Sequence, residues 1–117
     1  MSLEEIRDYC LAKPSVTEDL PFGKDTLVFR VGEKLFLLTS ISTGTQFNVK
    51  CDPERAIELR EQHSEVRPGY HMNKKHWNTV HTDGSLTRKQ LCEMIDHSYD
   101  LVLKSLPKKA QEEINGL

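Results

Sequence analysis

Residues 69–80 read GYHMNKKHWNTV and gather two histidines, a tyrosine, the only tryptophan of the chain, two lysines and two asparagines. Such residues serve metal ligation, proton transfer or contact with nucleic acid. For a metal, His71, His76 and His81 are the candidates. They stand five apart, and on a continuous strand residues five apart face opposite sides. Neighbouring members of the trio therefore diverge unless the backbone bends at Asn73-Lys74. No HExxH, no CxxC and no carboxylate cluster accompanies them, so no metal ligand set is expected. For catalysis, Cys51 stands just before a helix start, a place that lowers thiol pKa. A small cysteine at a strand end equally well fills a core. Asp96, His97 and Asp100 share one helix, with Asp96 and Asp100 at i,i+4. They read either as an exposed charged face or as a polar group tying that helix to a sheet. No acid and nucleophile stand at a useful offset, so the expectation is a non-enzymatic protein with no catalytic residue and no cofactor.

Nucleic acid remains. From Arg67 to Lys89 there are five basic residues and one acid, a local charge of +4 in a chain of −2, which leaves −6 for the remainder. Such asymmetry says more than the total. Lys74 and Lys75 at a bend, beside Tyr70, Asn73 and Trp77, have the chemistry for phosphate contacts with base or sugar packing. The expected contact surface is Arg67, Asn73, Lys74, Lys75, His76 and Trp77, with Arg88 and Lys89 on phosphate at the start of the last helix. The competing reading makes Trp77 and Tyr70 core or rim aromatics and the lysines a solvated turn.

The elements that would position these residues follow from periodicity. Ser2 and Glu5 form a capping box, and Leu3, Ile6, Cys10 and Leu11 make one helical stripe, so a helix is expected over 3–13, ended by Pro14. SVTEDLPFG (15–23) reads as a loop whose Leu20 and Phe22 enter the core. The period then changes to two. TLVFRV (26–31), KLFLLTSI (34–41) and TQFNVK (45–50) read as three antiparallel strands joined by short turns. Asp52 as N-cap, Pro53 at the first position and Glu54 in the first turn start a second helix over about 51–63. Its apolar stripe of Ala56, Ile57 and Leu59 is thin. A short strand over about 69–72 and a longer one over about 76–82 flank the Asn73-Lys74-Lys75 connection. Thr87 with Gln90 caps the last long helix, lined by Leu91, Ile95, Ser98, Val102 and Leu106. Pro107 interrupts it, and KKAQEEIN adds a frayed turn. The order α-β-β-β-α-β-β-α calls for an α+β fold with an antiparallel sheet packed on one face by helices.

The whole chain fits these elements. Its 117 residues suit one domain spanning 1–117, and 29% charged with 37% apolar residues is wet but foldable. Eighteen acidic against sixteen basic side chains argue against a general electrostatic grip on DNA or membrane. The N-terminus lacks the pattern of a signal peptide, and no run of apolar residues is long enough to span a bilayer. Three cysteines without a CxxC pair fit a reduced, cytoplasmic protein. Unpaired sheet edges would let two copies associate as a homodimer.

Four segments carry a wider resemblance: YCLAKPSVTEDLPFG, KCDPERAIELRE, PGYHMNKKHWNTV and DHSYDLVLKSLPKK. Together, in this order and spacing, they resemble the MmcQ/YjbR family of small bacterial proteins over nearly the whole chain. The positions that match are Pro21, Phe22 and Gly23; Gly69, Tyr70, His71, Met72, Lys75, His76 and Trp77; and Asp96, His97, Ser98 and Tyr99. The resemblance implies an α-β(3)-α-β(2)-α fold similar to type III secretion chaperones. It also implies DNA binding through β-hairpin wings, and it brings no catalytic residue. On the charge of this chain, such binding would be weak and strongly salt-dependent. The alternative is a protein-binding or small-ligand-binding module on a chaperone-like fold.

Overall fold

The computed structural model describes residues 1–70 and 72–116. Helix α1 (Leu3–Leu11) starts on the expected capping box, with Ser2 Oγ accepting from the Glu5 N–H and the Glu5 carboxylate from the Ser2 N–H. Strands β1 (Val16–Asp19), β2 (Thr26–Val31), β3 (Lys34–Ser40) and β4 (Gln46–Lys50) follow, then α2 (Pro53–Gln62), β5 (Val66–Pro68), β6 (Trp77–His81), α3 (Arg88–Ser105) and α4 (Lys108–Ile114). The six strands form one antiparallel sheet in the order β1-β2-β3-β4-β6-β5. The α+β class expected from periodicity is the class observed.

One face of the sheet is dry. Leu27, Phe29 and Val31 of β2, Phe36 and Leu37 of β3, Phe47 and Val49 of β4, and Val80 of β6 pack against Ile6 and Cys10 of α1 and Leu91, Ile95 and Val102 of α3. A bulge enlarges this core. Phe29 pairs with Leu37 and Arg30 with Leu35, so Phe36 is the extra residue. Strict alternation would send either Phe36 or Leu37 outward; the bulge turns both toward the helices. Phe36 then meets the Tyr99 ring edge-on at 5.4 Å.

Helix α3 is fastened by polar contacts as well as by apolar area. The Tyr9 hydroxyl donates to Asp96 at 2.7 Å, and Lys13 pairs with the same carboxylate while lying over the Tyr9 and Tyr99 rings. The Asp52 N–H donates to His97 Nε2 at 3.1 Å. Ser98, fully buried, accepts from the Lys50 N–H at 2.8 Å and donates to the Phe36 carbonyl. The Tyr99 hydroxyl donates to the Pro14 carbonyl at 2.7 Å. Asp96, His97, Ser98 and Tyr99 thus bind four different segments. Of the two readings of this helix face, Asp96 and His97 follow the polar tie, while Asp100 faces solvent.

Several expectations need correction. VTED (16–19) is a strand, not loop. Its single apolar residue hid it, and pairing with Val31–Val28 supplies what its own pattern lacks. Leu20 and Phe22 do not enter the core; they are 47% and 64% exposed. The Asp25 carboxylate, bound by Ser40 and Ser42, fastens the end of the β1–β2 connection to the β3–β4 turn. On α2 only Ala56 is buried, and Ile57 points to solvent. The segment after Pro107 is a regular helix, tied to the end of α3 by Gln111 Nε2 donating to the Leu106 carbonyl at 2.7 Å. The short strand expected over 69–72 lies three residues earlier, at Val66–Pro68.

Candidate nucleic-acid interface

The face opposite the helices carries Leu38, Gln46, Asn48, Lys50, Trp77, Thr79 and His81, with Arg67 at its edge strand. The register dictates this set, because Gln46 pairs with His81, Asn48 with Thr79, Lys50 with Trp77, and Arg67 with Thr79. No carboxylate occurs on β4, β5 or β6 or in the connection between the last two. The acid nearest in sequence, Glu65, is turned away to the loop after β6, where Ser85 donates to it through both hydroxyl and backbone N–H. The Ser85 hydroxyl bond is the largest cause that holds its carboxyl down at about 2.

Residues 69, 70 and 72–76 fold back over part of this face in closed turns. Gly69 donates its N–H to the Trp77 carbonyl at 2.9 Å, and Met72 donates to the Gly69 carbonyl at 2.9 Å. A side chain at 69 would put its Cβ 3.0 Å from Trp77 Cβ and 3.1 Å from the Trp77 carbonyl oxygen, so the turn and β6 approach closely here and a larger residue needs Trp77 to give by a few tenths of an ångström. Asn73 closes the next turn: its side chain accepts from the Lys75 N–H at 2.9 Å, and its carbonyl accepts from the Trp77 N–H at 2.9 Å. Arg60 of α2 locks the turn from below. Its guanidinium donates to the Asn78 side chain at 2.7 Å, to the Trp77 carbonyl at 3.2 Å and to the Lys74 carbonyl. Sequence reading missed Arg60, because it sits on a helix rich in charges that read as solvated.

The expected contact residues separate into groups. Arg67, Asn73, Lys74 and Lys75 are exposed, with Arg67 and Lys74 beside the same surface depression. His76 is half-buried. Trp77 is only 9% exposed: it packs with Val28 and Leu38, joined by Leu35 and Met72, in a second, smaller core on the open face. It offers little surface for stacking. Arg88 and Lys89 are exposed but sit at the start of α3, where Arg88 pairs with Glu5 of α1. That is the His81 end of β6, while the turn joins the Trp77 end, so the structure does not bring them together with Lys74 and Lys75. The residue that joins the group instead is Tyr70, 65% exposed, with Lys74 Nζ 5.2 Å from its ring centre.

Two shallow depressions mark the open face. One, of about 210 Å³, is lined by Gln46, Arg67, Pro68, Tyr70, Thr79 and His81. The other, of about 240 Å³, adjoins it through Gln46 and is lined by uncharged residues that include Thr26, Ser40, Asn48 and Met72. Among the described residues no group of three or more His, Cys, Asp or Glu side chains could hold a metal; His71, one of the trio, lies outside them. Cys51 is buried, and burial pushes its thiol up to about 11 despite the helix start beside it. Among the same residues no helix is long and apolar enough to cross a membrane.

Fold and site define an α+β protein in which helices cover one face of an antiparallel sheet and a basic, aromatic turn caps part of the other. The chain belongs to the YjbR family, whose model matches residues 11–101. It is 34% identical over 113 residues to the protein YjbR of Escherichia coli K12, covering 96% of each chain. It is 35% identical over 112 residues to YbdF of Escherichia coli O157:H7, covering 95% of this chain and 92% of that one. A crystal structure of a Deinococcus radiodurans protein is 38% identical and superposes with a TM-score of 0.91, covering 97% of this chain and 88% of its own. A Pseudomonas syringae crystal structure is 30% identical with a TM-score of 0.75, covering 87% of this chain and 99% of its own.

Proposed function

We propose that this chain is a non-enzymatic DNA-binding protein that holds its ligand with the turn at 69–76 and the open sheet face beside it. One observation carries the reading: residues 66–82 contain Arg67, Lys74 and Lys75, all exposed, and no carboxylate, in a chain of net charge −2. Three exposed cations thus stand on one turn and one sheet edge with no acid among them and an exposed tyrosine beside them. The contact residues are Arg67, Tyr70, Asn73, Lys74 and Lys75. Three cations neutralise about three phosphates, so log K against log salt has a slope of about −2.7 on duplex DNA. Binding is accordingly weak at physiological salt. The test is DNA affinity measured over a salt series for the natural chain and for Lys74→Glu with Lys75→Glu. The variant loses most of its affinity, and its slope falls to about −1. Unchanged affinity and slope would remove this surface from consideration.

A second reading, a small-ligand-binding or protein-binding module, is supported by the neutral depression of about 240 Å³ and by the acidic total charge. Retention of one defined metabolite or protein, with no retardation of DNA at low salt, would select it.

A further inference from the structure

The depression beside Tyr70 is more elaborate than general phosphate attraction requires. Its aromatic wall is fixed at the root, because Pro68 restricts the backbone before it and the Gly69 N–H is held by the Trp77 carbonyl. The ring itself stands 65% exposed, a platform in water rather than a core residue. Arg67 is exposed, and its single hydrogen bond among the described residues is a long one, from Nε to the Ser64 carbonyl at 3.5 Å. The rest of its guanidinium fork is open to an anion. Gln46 and His81 are register partners on the floor, so an amide and an imidazole stand side by side, each able to donate or accept. The Thr79 hydroxyl beside them donates to the Asn48 side chain, so its lone pairs remain free to accept. Among the described residues the lining offers a flat surface, adaptable hydrogen-bonding groups and one cation, with no carboxylate.

We infer that this depression receives one unpaired nucleotide of a DNA single strand. The base stacks on Tyr70, its edge meets Gln46 and His81, and its phosphate meets Arg67. Lys74 and Lys75 take the neighbouring phosphates. This rests on the nucleic-acid reading above and narrows it from DNA in general to an unpaired strand. The physical reason is access. A base inside a duplex already has both faces stacked and cannot lie on Tyr70 without being extruded, whereas every base of a single strand has a face to offer.

The experiment is fluorescence anisotropy with a labelled thymidine oligonucleotide of about ten residues, with the matching duplex, and with thymidine monophosphate as competitor. The natural chain, Tyr70→Ala, Tyr70→Phe and Arg67→Gln are compared. Tyr70 and Arg67 are exposed, so all variants fold. The single strand binds about tenfold tighter than the duplex, or more. Tyr70→Ala weakens strand binding by about 5- to 150-fold, the range of one lost base stack, while Tyr70→Phe retains it. Arg67→Gln weakens the strand and lowers its salt slope by about 0.7. Equal affinity for strand and duplex, untouched by Tyr70→Ala, overturns this inference and leaves the proposed function standing. Absence of binding to either overturns both. Competition by the monophosphate at the affinity of the strand overturns the strand and makes the ligand a free nucleotide.

Discussion

Arg60→Ala tests whether the basic turn is a preorganised platform or a loose loop. The guanidinium makes three hydrogen bonds, and their losses differ in kind. The Trp77 carbonyl keeps its bond from the Gly69 N–H, and the Lys74 carbonyl lies in an exposed turn where water replaces the donor. The Asn78 side chain has no such recourse. It is 2% exposed, and its oxygen faces the space the guanidinium vacates. A buried acceptor left without a donor costs about 1–3 kcal/mol, more when the lost donor was charged. The expected loss is therefore about 2–3 kcal/mol in urea unfolding, with an unchanged m-value. Arg60→Lys recovers less than half, since an ammonium cannot reproduce the fork. Trp77, the single tryptophan, reports locally: its emission shifts to the red, and the Lys75 and Trp77 amides exchange faster. A loss below about 0.5 kcal/mol with unaltered exchange would show that the turn holds itself and that Arg60 is incidental.

Other outcomes follow from single contacts. Gly69→Ala presses its Cβ to 3.0 Å from Trp77 Cβ and destabilises by about 1 kcal/mol, read by thermal or urea unfolding, unless Trp77 gives by a few tenths of an ångström. Ser98→Ala strands the Lys50 N–H and the Phe36 carbonyl in the core and costs about 2–4 kcal/mol in the same measurement. Burial, then Arg55, lowers the His97 pKa below its ordinary 6.5, and its Nε2 accepts the Asp52 N–H, so the folded state prefers neutral imidazole. That contribution is complete above 6.5 and is lost as the pH falls below it, because the unfolded chain then binds more protons. His97→Gln accordingly flattens the decline in stability between about pH 7 and about pH 5. Burial raises Cys51 to about 11 and Cys10 to about 12, so in the native protein a maleimide at neutral pH modifies half-buried Cys92 first. Faster modification of Cys51 would contradict its place in the core.

Local signals were the legible part of the sequence. The Ser2–Glu5 and Thr87–Gln90 boxes, the Asp52 cap, the three strands β2 to β4 and the alternation of β4 all appear where their chemistry put them. The open face was harder to read. Strand β1 depends on its neighbour for apolar partners, and alternation along β3 is broken by Phe36, an extra residue that only cross-strand register reveals. In the turn, two aromatics seven residues apart take opposite fates. Trp77 is claimed by Val28 and Leu38, residues far away in sequence, while Tyr70 has no such partner and stays in water. Arg88 is likewise claimed by Glu5, whose proximity depends on how α1 and α3 cross. Local pattern places a residue on an element; the element's neighbours decide what is left to face solvent.

The ties of Asp96, His97, Ser98 and Tyr99 bear on how the chain is born. They span sequence separations of 87, 45, 62 and 85 residues, counting for Ser98 its bond to Phe36. Every strand leaves the ribosome before the helix that covers the sheet. Until α3 emerges, Phe29, Leu37, Phe47 and Val49 have lost their largest cover, and the nascent sheet is a sticky surface in search of any apolar partner. Non-local closure of this kind is slow beside helix formation. Chains truncated before α3 should therefore accumulate as aggregates or chaperone clients rather than as small folded fragments. A premature stop just before α3 would remove the whole fold, although every strand has already been made.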